Sequence, residues 1–374
     1  MLRSLFSELI EKYFPVLAGN IEERINGEQT EPVMLHRVML TEEYSADLTW
    51  GSTDLNRSIV AADVVALESS LPLKKRDVIE SASGTIPKLG LKYERGEKFI
   101  SDINVMRSKG VNEAQIAAKV LDDVDKCYNG IEMRKEIMFE QALSTGVTLV
   151  KDGTMYAGND GTGIRVDYGY PAANAFNAAT TWGSTGYAPI TDIRTMIDAA
   201  DAKGVTISHL WMSRTAFDAI RTSDEGKQLA ATFAGVVVTQ TNRLPVPGRS
   251  AFTDALADEF GVTIHIVTGS FREMLPNGSV QTVTPWEATA IIGTTTDVVG
   301  RLVYGTLAEE INPVNDVDYQ KIGSHTLISK FSKTDPLVEY TAGQALCIPV
   351  IDNVNSIYKL STTAAATPSS GPNS

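Results

Sequence analysis

Cysteine is almost missing: Cys127 and Cys347 are the only two in 374 residues, far apart and each in an apolar setting. Two such thiols supply neither a disulfide framework nor a zinc knuckle, and they read as ordinary buried or half-buried side chains. Histidine is as scarce, and His36, His209, His265 and His325 include no pair with the i, i+4 spacing of a metal-binding helix. No run of about 18 apolar residues exists, so nothing reads as a membrane span. The opening MLRSLFSELIEKYFPV is interrupted by Glu8, Glu11 and Lys12 and lacks the apolar core of a secretory signal, so the chain is expected to be made and kept in the cytoplasm. A basic surplus is also absent. The formal charge of −13 argues against a protein whose main task is gripping nucleic acid, though not against a container wall that tolerates it.

What is present describes a globular chain, 43% hydrophobic and 21% charged, and long enough for at least two packed units. Residues 2, 5, 6, 9, 10, 13 and 14 are apolar, which predicts an amphipathic helix ended by Pro15. Its apolar side needs a partner surface, either the chain's own core or a neighbour. From Trp50 to about Lys98 the chain changes character and reads as an extended hairpin reaching away from the body. The cluster Lys74, Lys75 and Arg76, with Lys88, Lys92, Arg95 and Lys98 beyond it, is the main positive concentration. It reads either as a solvated loop or as a charged surface that meets the acidic face of another subunit. Val111 to Leu143 carries the strongest helical pattern, roughly 50 Å of helix at 1.5 Å per residue, with Gly130 expected to bend or fray it.

The stretch YAGNDGTGIRVDYG, Tyr156 to Gly169, has three readings: phosphate cradle, cation loop or turn. A phosphate cradle needs a helix after the glycines, whereas IRVDYGYP is strand-like, and VTLVKDGTMYAG before it is strand-like too. A calcium loop would need a regular Asp/Asn ladder and a closing Glu. The turn is the preferred reading. A cation- or nucleotide-dependent enzyme on residues 150 to 310, using Asn159 and Asp160, is kept as a rival.

Residues 191–321 look like an α/β unit, with Thr191 as N-cap and Gly204 as stop of one helix, followed by strand, helix and strand segments. Chemical motifs are sparse. Gly-x-Ser-x-Gly is absent, the adjacent carboxylates Asp122–Asp123, Asp258–Glu259 and Glu309–Glu310 read as solvated helix faces, and Trp182, Trp211 and Trp286 read as core. No catalytic, cofactor-binding or metal-binding residue is expected. The end, STTAAATPSSGPNS, has the composition of a tail.

This order of parts resembles the lambda-like major capsid proteins of tailed bacteriophages, which have the Hong Kong 97-type capsid fold. The resemblance rests on LFSELIEKYFPV as an N-terminal arm, SGTIPKLGLKYERGEKFISDINV as the return of an extended loop, and the Val111–Leu143 helix as a spine. GTGIRVDYGYP, HLWMSRTAFDAI, LPNGSVQTVTPWEATAII, GRLVYGT and QALCIPVIDNVNSIYKL add to it as later hairpin, axial and closing segments. It implies an α+β subunit divided into an arm (1–50), an extended loop (51–98), a peripheral domain with the spine helix (99–190), an axial domain (191–321), a return to the peripheral domain (322–360) and a tail (361–374). It also implies pentamers and hexamers closing an icosahedral shell around double-stranded DNA in the virion. The other partners implied are a separate scaffolding protein, because the arm starts at Met1, a portal and a decoration protein. The expected assembly residues are Leu5, Phe6, Leu9, Ile10 and Tyr13 on the arm, and Lys74, Lys75, Arg76, Lys88, Lys92 and Arg95 on or near the loop. Some relatives weld subunits through a loop Lys and an Asn, for which Lys88 or Lys92 and Asn353 or Asn355 are the candidates here. A cargo-enclosing compartment of the same fold is the alternative within the structural class.

Overall fold

The computed structural model describes residues 2–26, 34–51, 83–150, 164–236, 244–274 and 278–365. The chain divides into two compact units, the first made of Met1–Trp50, Ser83–Glu140 and Arg301–Val350, and the second of Gly51–Ala82, Gln141–Gly300 and Ile351–Ser374. Lys74, Lys75, Arg76 and the glycines at 158, 161 and 163 lie outside the described residues.

Helix α1 spans Ser7–Asn26 and runs through Pro15 instead of ending there. A proline inside a helix costs about 3 kcal/mol. Here the apolar stripe continues beyond it: Phe6, Leu9, Ile10, Phe14, Ala18 and Ile21 are all buried in one cluster, and their burial outweighs that cost. Helix α2 (Leu35–Met39), strands β1 (Leu40–Tyr44), β2 (Thr49–Gly51), β3 (Ser83–Thr85) and β4 (Lys88–Gly96), and helix α3 (Glu97–Ser108) follow. The expected long helix is a helical run broken once, at Leu121, into α4 (Glu113–Val120) and α5 (Asp122–Thr145). Asn112 caps α4, its side chain accepting from the Ala114 amide at 2.8 Å.

Gly130 lies within α5 and serves close packing: a Cβ there would stand 2.8 Å from Leu91 Cδ1.

The next elements form the second unit. The hairpin β5 (Val147–Val150) and β6 (Ile164–Asp167) is antiparallel, so the described parts on both sides of the glycine stretch are strands. Then come β7 (Ala175–Ala178), α6 (Pro189–Asp201), β8 (His209–Ser213), α7 (Arg214–Thr222), α8 (Asp224–Phe233), α9 (Arg249–Phe260), β9 (Thr263–Val267), the hairpin β10 (Phe271–Met274) and β11 (Val280–Val283), and β12 (Ala290–Thr294). Helix α6 begins at Pro189, a residue suited to the first turn, so Thr191 is inside the helix and donates to Glu225 instead of capping. Ser213 and Ser223 cap α7 and α8, accepting from the amides of Ala216 and Gly226.

Strand β13 (Gly300–Gly305), helix α10 (Ala308–Ile311) and strands β14 (Asp318–Ile322), β15 (Thr326–Thr334) and β16 (Leu337–Ile351) return to the first unit, and β17 (Tyr358–Ala364) completes the second. The first unit's six-stranded sheet has the order β1-β13-β16-β15-β14, with β4 also paired to β16. Strand β16 is paired along both edges and reads as nearly continuous hydrophobic sequence. The cluster formed by α1, α3, α4 and α5 with Ile322 and Ile328 is this unit's core.

The second unit's sheet has the order β7-β17-β12-β8-β9. Strands β8 and β9 are parallel, which requires a crossover, and α7, α8 and α9 supply it. Phe217, Ile220, Phe252 and Leu256 pack against Leu210, Met212 and Ile291.

Candidate assembly surface

The structure divides the predicted arm residues. Phe6, Leu9 and Ile10 are buried in their own unit's core and Tyr13 packs against it, which corrects the expectation that these side chains wait for a neighbour. The stripe satisfies itself because α1 lies along α4 and β14. Leu5 is different, being 46% exposed, with Leu2 and Val16 exposed as well.

The basic residues divide similarly. Arg95 Nε and Nη2 donate to Asp123 at 2.6 and 2.7 Å, and Nη2 also reaches Asp122 at 3.2 Å. Asp123 is therefore buried instead of solvated, correcting the reading of that carboxylate pair. Burial pushes its pKa up, but Arg95 and Lys126 outweigh that and hold it below the ordinary carboxylate range. Lys92 Nζ stands 4.5 Å over the Tyr340 ring, and Lys88 faces Glu309 at 3.8 Å, both still exposed enough to meet a partner. Alternation along β4 explains the pattern, Leu89 pointing inward while Lys88 points out.

A second set of exposed apolar residues was not signalled by the sequence. Hairpin β10–β11 forms its own two-stranded sheet, where Met274, 71% exposed, pairs with Val280, 48% exposed. Only tertiary placement reveals them, since both sit in ordinary alternating strand sequence.

A polar cavity of about 590 Å³ lies within the first unit, lined in part by His36, Arg37, Glu132, Lys135 and His325. His36 contacts Glu136 at 2.6 Å and Glu132 at 3.2 Å, Arg37 Nε donates to Glu132 at 3.0 Å, Lys135 pairs with Glu132, and Lys135 meets His325 at 3.0 Å. Burial pushes the Glu132 pKa up, yet Lys135, His36 and Arg37 hold it well below the ordinary range. Burial, reinforced by Lys135, lowers His325 to about 3. These groups neutralise one another, as a structural ion-pair network does.

The two thiols, Cys127 and Cys347, are both buried. Burial raises both thiols to about 12, which leaves them protonated and unreactive at neutral pH. Trp211 and Trp286 are core residues whose indole N–H groups donate to Thr294 and Ala290. No described helix is long and apolar enough to cross a membrane.

A capsid protein assigned to a prophage of Escherichia coli CFT073 has a similar structure, with a TM-score of 0.54 at 13% identity over 92% of this chain and 98% of that one. A phage-related protein from Bordetella bronchiseptica RB50 aligns over 94% and 97% of the two chains at 13% identity with a TM-score of 0.48. The capsid asymmetric unit of cyanophage A-1(L) aligns over 90% and 95% at 13% identity with a TM-score of 0.46. None of the curated proteins matches. Residues 21–361 match the family described as phage major capsid protein E, and the chain belongs to that family.

Proposed function

We propose that this subunit assembles as pentamers and hexamers that close an icosahedral shell around double-stranded DNA. Its class follows from its family: it is a major capsid protein of the phage head, a component of the virion and a structural protein, not an enzyme. The observation that carries the assembly reading is the exposed Met274–Val280 pair on the two-stranded hairpin β10–β11, whose Phe271 and Glu273 are buried. A two-stranded hairpin is marginal in water by itself, and an apolar pair on it gains by burial against another copy. Leu2, Leu5 and Val16 offer a second apolar surface beside the buried face of α1.

Lys88 and Lys92, with Lys74, Lys75 and Arg76, are the proposed charged contacts to an acidic neighbouring subunit, and the net charge of −13 supplies acidic surface for them. The proposed divisions are an arm (1–50), an extended loop (51–98), a peripheral domain (99–190, with a return at 322–360), an axial domain (191–321) and a tail (361–374). A separate scaffolding protein, a portal and a decoration protein are the proposed further partners. The test is negative-stain imaging of the chain co-expressed with its genomic neighbours, followed by nuclease-protection analysis of particles from infected cells. Closed shells that protect DNA support the proposal. Shells holding protein cargo in its place would overturn the DNA assignment.

A further inference from the structure

We propose that His209, His265 and Asp297 form a binding site for a divalent first-row transition ion, with zinc as the first choice. The four histidines look unrelated along the chain, but the sheet brings two of them together. In the parallel β8–β9 pair, His209 lies opposite Thr263 and Trp211 opposite His265, so the two histidines are diagonal neighbours on one face. Strand β12 pairs with β8 on its other edge, Thr294 opposite His209, so the chain leaving β12 delivers Asp297 beside the same ring.

The donor atoms converge. His209 Nδ1 is 3.2 Å from His265 Nε2 and 3.2 Å from Asp297 Oδ1, and the three ligand atoms all lie within 4.8 Å of one another. A tetrahedral zinc with bonds of about 2.0–2.1 Å separates its ligand atoms by about 3.3 Å. A neutral His209 has at most one proton at Nδ1 to offer two facing acceptors, whereas one cation uses the lone pairs of all three groups.

The surroundings hold the ligands in place. Trp211 stacks on His265 at 3.8 Å with 9° between the rings. Its indole N–H donates to Thr294 Oγ1, which donates to the Thr296 carbonyl, and Thr296 Oγ1 in turn donates to Val298. The residues flanking Asp297 are thus tied to the strand that carries His209. Two imidazoles and one carboxylate form a borderline donor set that suits zinc better than magnesium or calcium, which prefer all-oxygen sites. The Asp297 side chain is 61% exposed, which leaves a side open for a water as fourth ligand. The ion would join β8, β9 and the β12–β13 connection, so its expected effect is on the stability of the second unit.

The test is titration of the metal-free full chain with Zn²⁺ by calorimetry and with Co²⁺ by visible absorption, alongside thermal unfolding with and without Zn²⁺. One ion per chain, tetrahedral Co²⁺ bands and a raised unfolding temperature are expected. His265→Gln and Asp297→Asn should each weaken binding at least about tenfold. Asp297 is exposed, so its variant keeps the unfolding temperature of the metal-free wild type. Absence of stoichiometric binding, or equal binding by wild type and both variants, would show a hydrogen-bonded cluster only and overturn the proposal.

Discussion

The carboxylate of Glu339, on β16, accepts a hydrogen bond from the Leu5 backbone amide at 2.5 Å, joining residues 334 positions apart. It also accepts from the Ser4 hydroxyl at 2.9 Å, so one buried side chain anchors the start of α1 to the sheet. Burial raises its pKa, and the Leu5 and Ser4 bonds offset only part of that. A carboxyl raised in the fold contributes its stability below the unfolded pKa and loses it as pH rises through the folded value. At neutral pH Glu339→Ala should still cost about 1–3 kcal/mol, because it orphans the Leu5 amide and the Ser4 hydroxyl. Glu339→Gln, which keeps an acceptor and removes the buried charge, should stay within about 1 kcal/mol of wild type. Urea unfolding of both variants measures the difference.

The two sides of the N-terminal segment that leads into and forms α1 predict opposite phenotypes. Phe6 is core, and Arg107 lies over its ring at 5.5 Å, so Phe6→Ala should lower stability by about 3–5 kcal/mol. Leu5→Asp and Val16→Asp, on exposed positions, should leave the subunit folded while reducing shell yield. Circular dichroism and particle counts read the two effects separately.

His325 predicts a specific acid sensitivity. Glu132 and Lys135 from α5, His36 from α2, Glu42 from β1 and Lys321 from β14 are the charged groups around it. Its pKa is lowered to about 3, so the fold favours the neutral ring. The stability it contributes is intact above the ordinary imidazole range and declines as pH falls from about 6.5 towards the folded value. Between pH 6.5 and 5 that amounts to about 2 kcal/mol. Glu132, held low, adds a loss of the same sign only below the ordinary carboxylate range. Denaturant unfolding across pH should show a slope above pH 5 in wild type that His325→Gln flattens.

Gly343 on β16 lies against α5, where an added Cβ would stand 2.9 Å from Cys127 Cβ. That neighbour is close to the helix backbone and cannot swing aside. Gly343→Ala should destabilise by about 1–3 kcal/mol, measured by thermal unfolding, whereas an exposed alanine substitution would be nearly silent.

The elements most legible in the sequence were those with local signals. The α7 and α9 helices, strands β8, β9 and β12, and the strands around the glycine stretch follow from periodicity and turn chemistry. Helix α1 continues past Pro15 because the burial of Phe14, Ala18 and Ile21 offsets a local breaker, and that burial depends on tertiary packing. Asp123 on α5 looks solvated in the sequence for a related reason: its partner Arg95 comes from strand β4. The convergence of His209, His265 and Asp297, and the exposure of Met274 beside Val280, depend on sheet order and register, and no spacing along the chain encodes either.

The most direct test of the central claim is sedimentation velocity of the wild-type chain expressed with its scaffolding candidate, compared with Met274→Asp in the same system. Wild type should sediment as closed shells with a residue of pentamers and hexamers, and the variant should accumulate as a folded, slower species. Persistent wild-type monomers under those conditions, or shells unaffected by the substitution, would contradict the account.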